Sequence, residues 1–151
     1  MKPFDDSKLV ETNAKLEQSF KDERDSWNQK ISDLVDKLKD NSKLAEAMAY
    51  GLSYRQMIVE KSIQYKQILA KKNSVWDKAK CDRYRQYMVE GDLKLTGSEK
   101  NDFVNADLTS LKYQISLLQT QIEYFQETIQ VLNSFQFAVK NKIQIISEEI
   151  M

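Results

Sequence analysis

The stretch from residue 104 to 150, VNADLTSLKYQISLLQTQIEYFQETIQVLNSFQFAVKNKIQIISEEI, decides the fold. Two rows of apolar side chains run through it with a spacing of seven. One reads Leu108, Ile115, Ile122, Ile129, Gln136, Ile143, Ile150, and the other Val104, Leu111, Leu118, Phe125, Leu132, Val139, Ile146. Thirteen of these fourteen positions are apolar. A sustained seven-residue repeat keeps one seam of a helix turned toward a partner and imposes a left-handed supercoil, so a coiled-coil seam is expected. Gln136 is the polar exception, suited to fixing register. Ahead of the seam, Thr96-Gly97-Ser98-Glu99 matches the S/T-x-x-E capping box that opens a helix. The helix is expected to run from there to the C-terminus without a break.

A second apolar row lies beside the seam: Phe103, Leu117, Tyr124, Val131, Ala138 and Ile145. The row between them, with Gln114, Gln121 and Thr128, is mostly uncharged. From 108 to 147 the only charges are Lys112, Glu123, Glu127, Lys140 and Lys142. A face this broad exceeds what one partner helix covers, and a helix of about 50 residues is about 75 Å long. The reading is therefore an all-α, elongated long-helix or coiled-coil protein. It self-assembles into a ring or bundle through its C-terminal helix. Leu111, Ile115, Leu118, Ile122, Phe125, Ile129, Leu132, Val139, Ile143 and Ile146 form the expected oligomer interface. The competing arrangement is a hairpin in which the chain's own earlier helices cover both rows.

Upstream, 3 glycines and 1 proline in 151 residues leave long helices as the natural structure. Leu9, Leu16, Phe20, Trp27, Ile31, Leu34 and Leu38 mark an apolar seam from Ser7 to Asp40, with polar gaps at Asn13 and Glu23. Lys39 to Ser42 ends that helix and caps a second, from Lys43 to Met88. Glu90-Gly91-Asp92 breaks it, and Leu93-Lys94-Leu95 alternates like a short extended piece. The segments expected are 1–42, an amphipathic helix; 43–90, a basic and aromatic helix; 91–98, a loop; and 99–151, the heptad helix.

The absence of histidine and the single Cys81 argue against zinc sites, nucleophile–histidine systems and a disulfide framework. No nucleotide-binding glycine loop or metal cluster is visible, so no enzyme activity, cofactor or metal is expected. MKPFDDSKL holds no apolar signal core and no run of eighteen apolar residues exists, which favours a reducing cytoplasm over secretion or a membrane span.

The net charge of zero conceals segregation. Residues 54–87 hold nine basic residues against three acids, whereas 88–127 hold three against seven. Tyr54, Tyr65, Trp76 and Tyr87 recur every eleven residues, as do Lys61, Lys72 and Arg83. Eleven residues make almost three helical turns, so each set keeps to one stripe. Rings interleaved with cations suit a single-stranded nucleic acid, through phosphate neutralisation and base stacking. Lys71, Lys78 and Arg85, seven apart, form the expected phosphate row. Lys72, Lys80, Arg83 and Tyr84 complete the candidate site. Tyr54, Tyr65 and Trp76 read better as core under the alkyl stems of their basic neighbours. An acidic protein surface is another possible partner, including the chain's own acidic segment across a subunit boundary.

The order and spacing of several short stretches resemble the UvsY-like recombination mediators of T4-like phages. They are Lys71-Lys72, Lys78-Ala79-Lys80-Cys81-Asp82-Arg83-Tyr84, Met48 and Tyr50 upstream, then Ser98-Glu99-Lys100, Ala106-Asp107 and Phe137-Ala138-Val139-Lys140. The match spans roughly residues 45–145. Asp77 stands where the family has an apolar residue, Lys80 replaces an arginine and its bidentate fork, and the loop at Gly91 is shorter. The resemblance implies a ring-forming protein of the phage-infected bacterial cytoplasm that acts in DNA recombination, repair and replication. It implies binding of single-stranded DNA along a basic rim, with Lys78 and Lys80 in contact. It also implies assistance to a RecA-like recombinase in replacing the single-strand DNA-binding protein. Two other classes compete: a coiled-coil structural or chaperone-like adaptor without DNA affinity, and a peripheral helix protein of anionic membranes.

Overall fold

The computed structural model describes residues 7–89 and 96–150, and these form four α-helices with no strand among them. Helix α1 spans Ser7–Asp36, α2 Leu44–Val89, α3 Gly97–Asp107 and α4 Thr109–Ile150. The fold is all-α. Two short 3₁₀ turns, Lys37–Lys39 and Asn41–Lys43, join α1 to α2. Asp40 between them is extended, and its carboxylate accepts from the backbone N–H of Ser42 at 3.0 Å and from its hydroxyl at 2.7 Å. That is the stop-and-cap expected at Lys39 to Ser42, although α1 itself ends at Asp36. The stretch Glu90 to Leu95, where a break and an extended piece were expected, lies outside the described residues.

The heptad helix is interrupted once, against expectation. Leu108 leaves helical geometry (φ −105°, ψ 18°) and divides α3 from α4. Beside the break the Thr109 hydroxyl donates back to the carbonyls of Ala106 at 2.9 Å and Asn105 at 3.2 Å, a side-chain bond of the kind that competes with the backbone ladder. The capping box opens α3 as expected: Glu99 N–H donates to Thr96 Oγ1 at 3.1 Å, and Thr96 N–H to Glu99 Oε2 at 3.2 Å.

Contacts divide the chain into two compact units. The first comprises 7–19, 66–89 and 96–120 among the described residues. Val104, Leu108, Leu111, Ile115 and Leu118 are its buried apolar residues. Asn13 of α1 donates its amide to the Ser110 carbonyl at 2.7 Å, and the Tyr113 hydroxyl donates to Glu17 at 2.9 Å, so α1 and α4 run parallel here. Asn13, a polar gap in the α1 pattern, is thus buried and used.

The second unit comprises residues 20–65 and 121–150. Trp27, Leu34, Leu44, Ala47, Ile58, Phe125, Leu132, Phe135 and Val139 form one buried cluster. Tyr54 and Tyr65 pack on it, Tyr54 edge-on to Trp27 at 5.7 Å and Tyr65 against Phe125 at 5.3 Å. At Gly51 of α2 the partner helix comes so close that a Cβ would collide with the Gln136 amide, whose Nε2 donates to the Met48 carbonyl at 3.3 Å.

The heptad seam is therefore covered within one chain. Leu111, Ile115, Leu118, Ile122, Phe125, Leu132 and Val139 are all buried, and Ile129 and Ile146 half-buried. Ile143 alone of the ten expected interface residues is exposed. The seam's period identified the buried face correctly, but the covering surface is α1 and α2 of the same molecule.

The Tyr65 hydroxyl sits in this packing and donates to both oxygens of Glu23, at 2.9 and 3.0 Å. Desolvation first, and the bond to a carboxylate second, raise its pKa well above the ordinary 10.0. An unfolded tyrosine ionises near 10, so this contribution to stability is complete below pH 10 and is lost as pH rises through the higher folded value. Tyr65→Phe should lower stability at neutral pH by about 1–2 kcal/mol yet flatten the loss above pH 10. Urea unfolding at pH 7, 10 and 11 checks both; an equally steep alkaline loss in the variant would refute the assignment.

Candidate nucleic-acid interface

Between residues 66 and 85, α2 carries Lys66, Lys71, Lys72, Lys78, Lys80, Arg83 and Arg85 with only Asp77 and Asp82 as acids. No glycine or proline interrupts it, so the seven-residue spacing of Lys71, Lys78 and Arg85 becomes a single exposed row. Lys66 is exposed as well, while Lys72 and Lys80 are half-buried, their stems against the helix surface. None of these six cations has an ion-pair or hydrogen-bond partner among the described residues. A dense row of unneutralised charge along one helix raises the local potential.

Arg83 is different. It is 6% exposed and belongs to the packing of the first unit. Its Nε and Nη2 donate to Asp107 Oδ2 at 3.1 and 2.6 Å, and the Tyr87 hydroxyl donates to the same oxygen at 2.7 Å. The guanidinium lies 5.6 Å from the Tyr87 ring centre, and that ring is 5.7 Å from Phe103. Desolvation, then the bond to Asp107, raises the Tyr87 pKa. Arg83 and Tyr87 tie the end of α2 to α3 and are not part of the free cationic row. The eleven-residue repeat found these residues but not their shared partner Asp107, 24 residues from Arg83 and 20 from Tyr87. The acidic excess of 88–127 was the available signal, and its Asp107 meets the basic stripe within the chain.

Lys61, the first cation of the eleven-residue repeat, is paired as well. In the second unit its Nζ lies 3.3 Å from Glu23 Oε2. Tyr54 and Tyr65 are core, as the sequence favoured, and Trp76 is half-buried. Tyr84 is half-buried at the surface of α2, next to Lys80 and Arg85. Sequence reasoning missed the groove these three share with Cys81, Met88, Val89 and Asn101, because it is assembled from two helices. No helix among the described residues is long and apolar enough to cross a membrane. No protein-family model, curated protein or solved structure matches this chain.

The two kinds of arginine and lysine should separate on mutation. Arg83→Ala leaves Asp107 partly buried without its cation and should cost roughly 2–3 kcal/mol in urea unfolding. Lys78→Ala changes a solvated side chain and should stay within about 0.5 kcal/mol. Equal stability of the two variants would refute the structural role of Arg83.

Proposed function

We propose that this protein binds single-stranded DNA and acts as a recombination mediator, helping a RecA-like recombinase onto strands covered by single-strand DNA-binding protein. The observation that carries the binding reading is the row of six cations, from Lys66 to Arg85, that lack partners among the described residues. The mediator role rests on the UvsY-like order of residues, within which Lys78 and Lys80 align with the family's DNA-contacting positions. Phosphates neutralised by these side chains release counterions, so affinity falls steeply with salt. The work is binding and remodelling of a strand; no residue is assigned a catalytic role.

Self-assembly belongs to the same proposal, on a surface revised from the heptad seam. Val131, Phe137, Ile143, Ile145 and Ile150 of α4 are 49%, 66%, 39%, 55% and 80% exposed. Val131 and Ile145, fourteen residues apart, keep to one stripe of α4, and exposed apolar side chains so placed suit burial against another copy. Repeating a weak basic site around such an assembly raises avidity without a new contact. The same apolar surface also supports the rival reading, a helical adaptor that holds protein partners and has no DNA affinity.

Fluorescence anisotropy with a labelled poly-dT strand over a salt series tests binding. Lys78→Ala with Lys80→Ala should weaken affinity and flatten the salt slope by roughly 1–2 units. No binding at low salt would leave the adaptor reading. Sedimentation tests assembly. Ile145→Asp should lower the mass of a folded protein, whereas Ile122→Asp, which puts a charge into the 6%-exposed seam, should unfold it. An unaltered mass for Ile145→Asp would reject the α4 surface.

A further inference from the structure

The groove at the end of α2 has a shape and chemistry that the phosphate row alone does not require. Its volume is about 510 Å³, in the range of small-molecule sites. Two adjacent ridges of α2 build its floor: Lys80, Tyr84 and Met88, four apart, and Cys81, Arg85 and Val89, also four apart. Asn101 of α3 lines it as well. Among the described residues the lining is predominantly apolar, holds no acid, and carries two cations without partners. Arg85 is at once a lining residue and the last member of the exposed row Lys71, Lys78, Arg85. The exposed row and the groove therefore share one cation.

We propose that this groove takes an unstacked nucleobase of the bound strand, with the flanking phosphates on Lys80 and Arg85. The inference rests on the single-strand binding reading and adds a base-contacting residue set to it. Tyr84 supplies the ring on which the base stacks, and Met88 and Val89 supply apolar contact. The Asn101 amide, carrying both a donor and an acceptor, can meet any base edge. The charge pattern favours this occupant. A bare phosphate chain needs no apolar floor, and an aliphatic chain gains nothing from an aromatic face between two cations. A base joined to phosphates uses all three features.

The test compares a thymine strand with an abasic strand of equal length, on the full chain and on Tyr84→Ala, Tyr84→Phe and Met88→Asp. The abasic strand keeps the phosphates and removes what the groove would hold. Wild type should prefer the thymine strand by roughly 5- to 150-fold, the equivalent of one stacked base. Tyr84→Ala should abolish most of that preference while leaving abasic affinity within twofold, and Tyr84→Phe should retain it. Met88 is 59% exposed, so Met88→Asp should fold normally and also lose the preference. Cys81, the only cysteine, reports directly: the thymine strand should slow its modification by a maleimide more than a saturating abasic strand does.

Equal affinity of wild type for both strands would overturn the groove assignment while leaving phosphate binding intact. So would Tyr84→Ala weakening both alike. If anionic vesicles bind in a Tyr84-dependent way and the strands are not discriminated, the groove belongs to lipid. Failure of either strand to bind at low salt would remove the DNA reading itself, and the groove proposal with it.

Discussion

One carboxylate holds the three long helices of the second unit in register. Glu23 of α1 accepts from Tyr65 of α2 and from Gln121 Nε2 of α4 at 2.9 Å, with Lys61 of α2 at 3.3 Å. Gln121, fully buried, also donates to the Phe20 carbonyl at 3.2 Å and accepts from Arg24 Nη1 at 2.6 Å. Hydrogen bonds to a charged group contribute about 1.5–3 kcal/mol each. Their larger effect is selective. A helix with apolar side chains every seven residues can slide by one heptad on its partner at little cost. Here such a slip would strand a buried glutamine and a carboxylate, so only one alignment satisfies both the apolar and the polar groups.

The polar row Gln114, Gln121, Thr128 therefore has a different meaning inside the protein from the one it has on paper. In the sequence it separates two apolar rows and widens the unpolar face, which suggested several partner helices. In the structure all three side chains are buried. In the second unit that face packs in one cluster with Trp27 and Leu34 of α1 and Ala47 and Ile58 of α2. Periodicity identified which residues leave water; it carried no information on whether the covering helix lies in the same chain. That explains why the seam residues were found correctly while their partner was assigned to a neighbour.

Other features were legible to different degrees, for physical reasons. The capping box at Thr96 and Glu99 is a local motif and is present as read. The break at Leu108 falls inside an uninterrupted heptad pattern, and the Thr109 beside it is common enough in helices that its position did not announce a break. Asn13 and Glu23 were visible only as interruptions of an apolar pattern; they are the sites where the pattern gives way to specificity. Arg83 could not be separated from the other cations of α2 because its partner lies on another helix. The Tyr84 groove, with Asn101 contributed by α3, was hidden for the same reason.

The distribution of charge among these contacts has a practical consequence for how the molecule responds to its solvent. The contacts that align the helices are apolar burial and short-range hydrogen bonds, and the Arg83–Asp107 pair is largely withdrawn from solvent. Exposed pairs such as Lys15–Glu11 and Lys39–Asp36 contribute little. The cations of α2 that lack partners among the described residues are, by contrast, exposed or half-exposed and open to screening, with a Debye length of about 10 Å at 0.1 M and about 3 Å at 1 M salt. Ionic strength thus acts on the two systems separately: it silences the surface field while the architecture beneath stays intact. Whatever the surface field attracts, the attraction is reversible without unfolding.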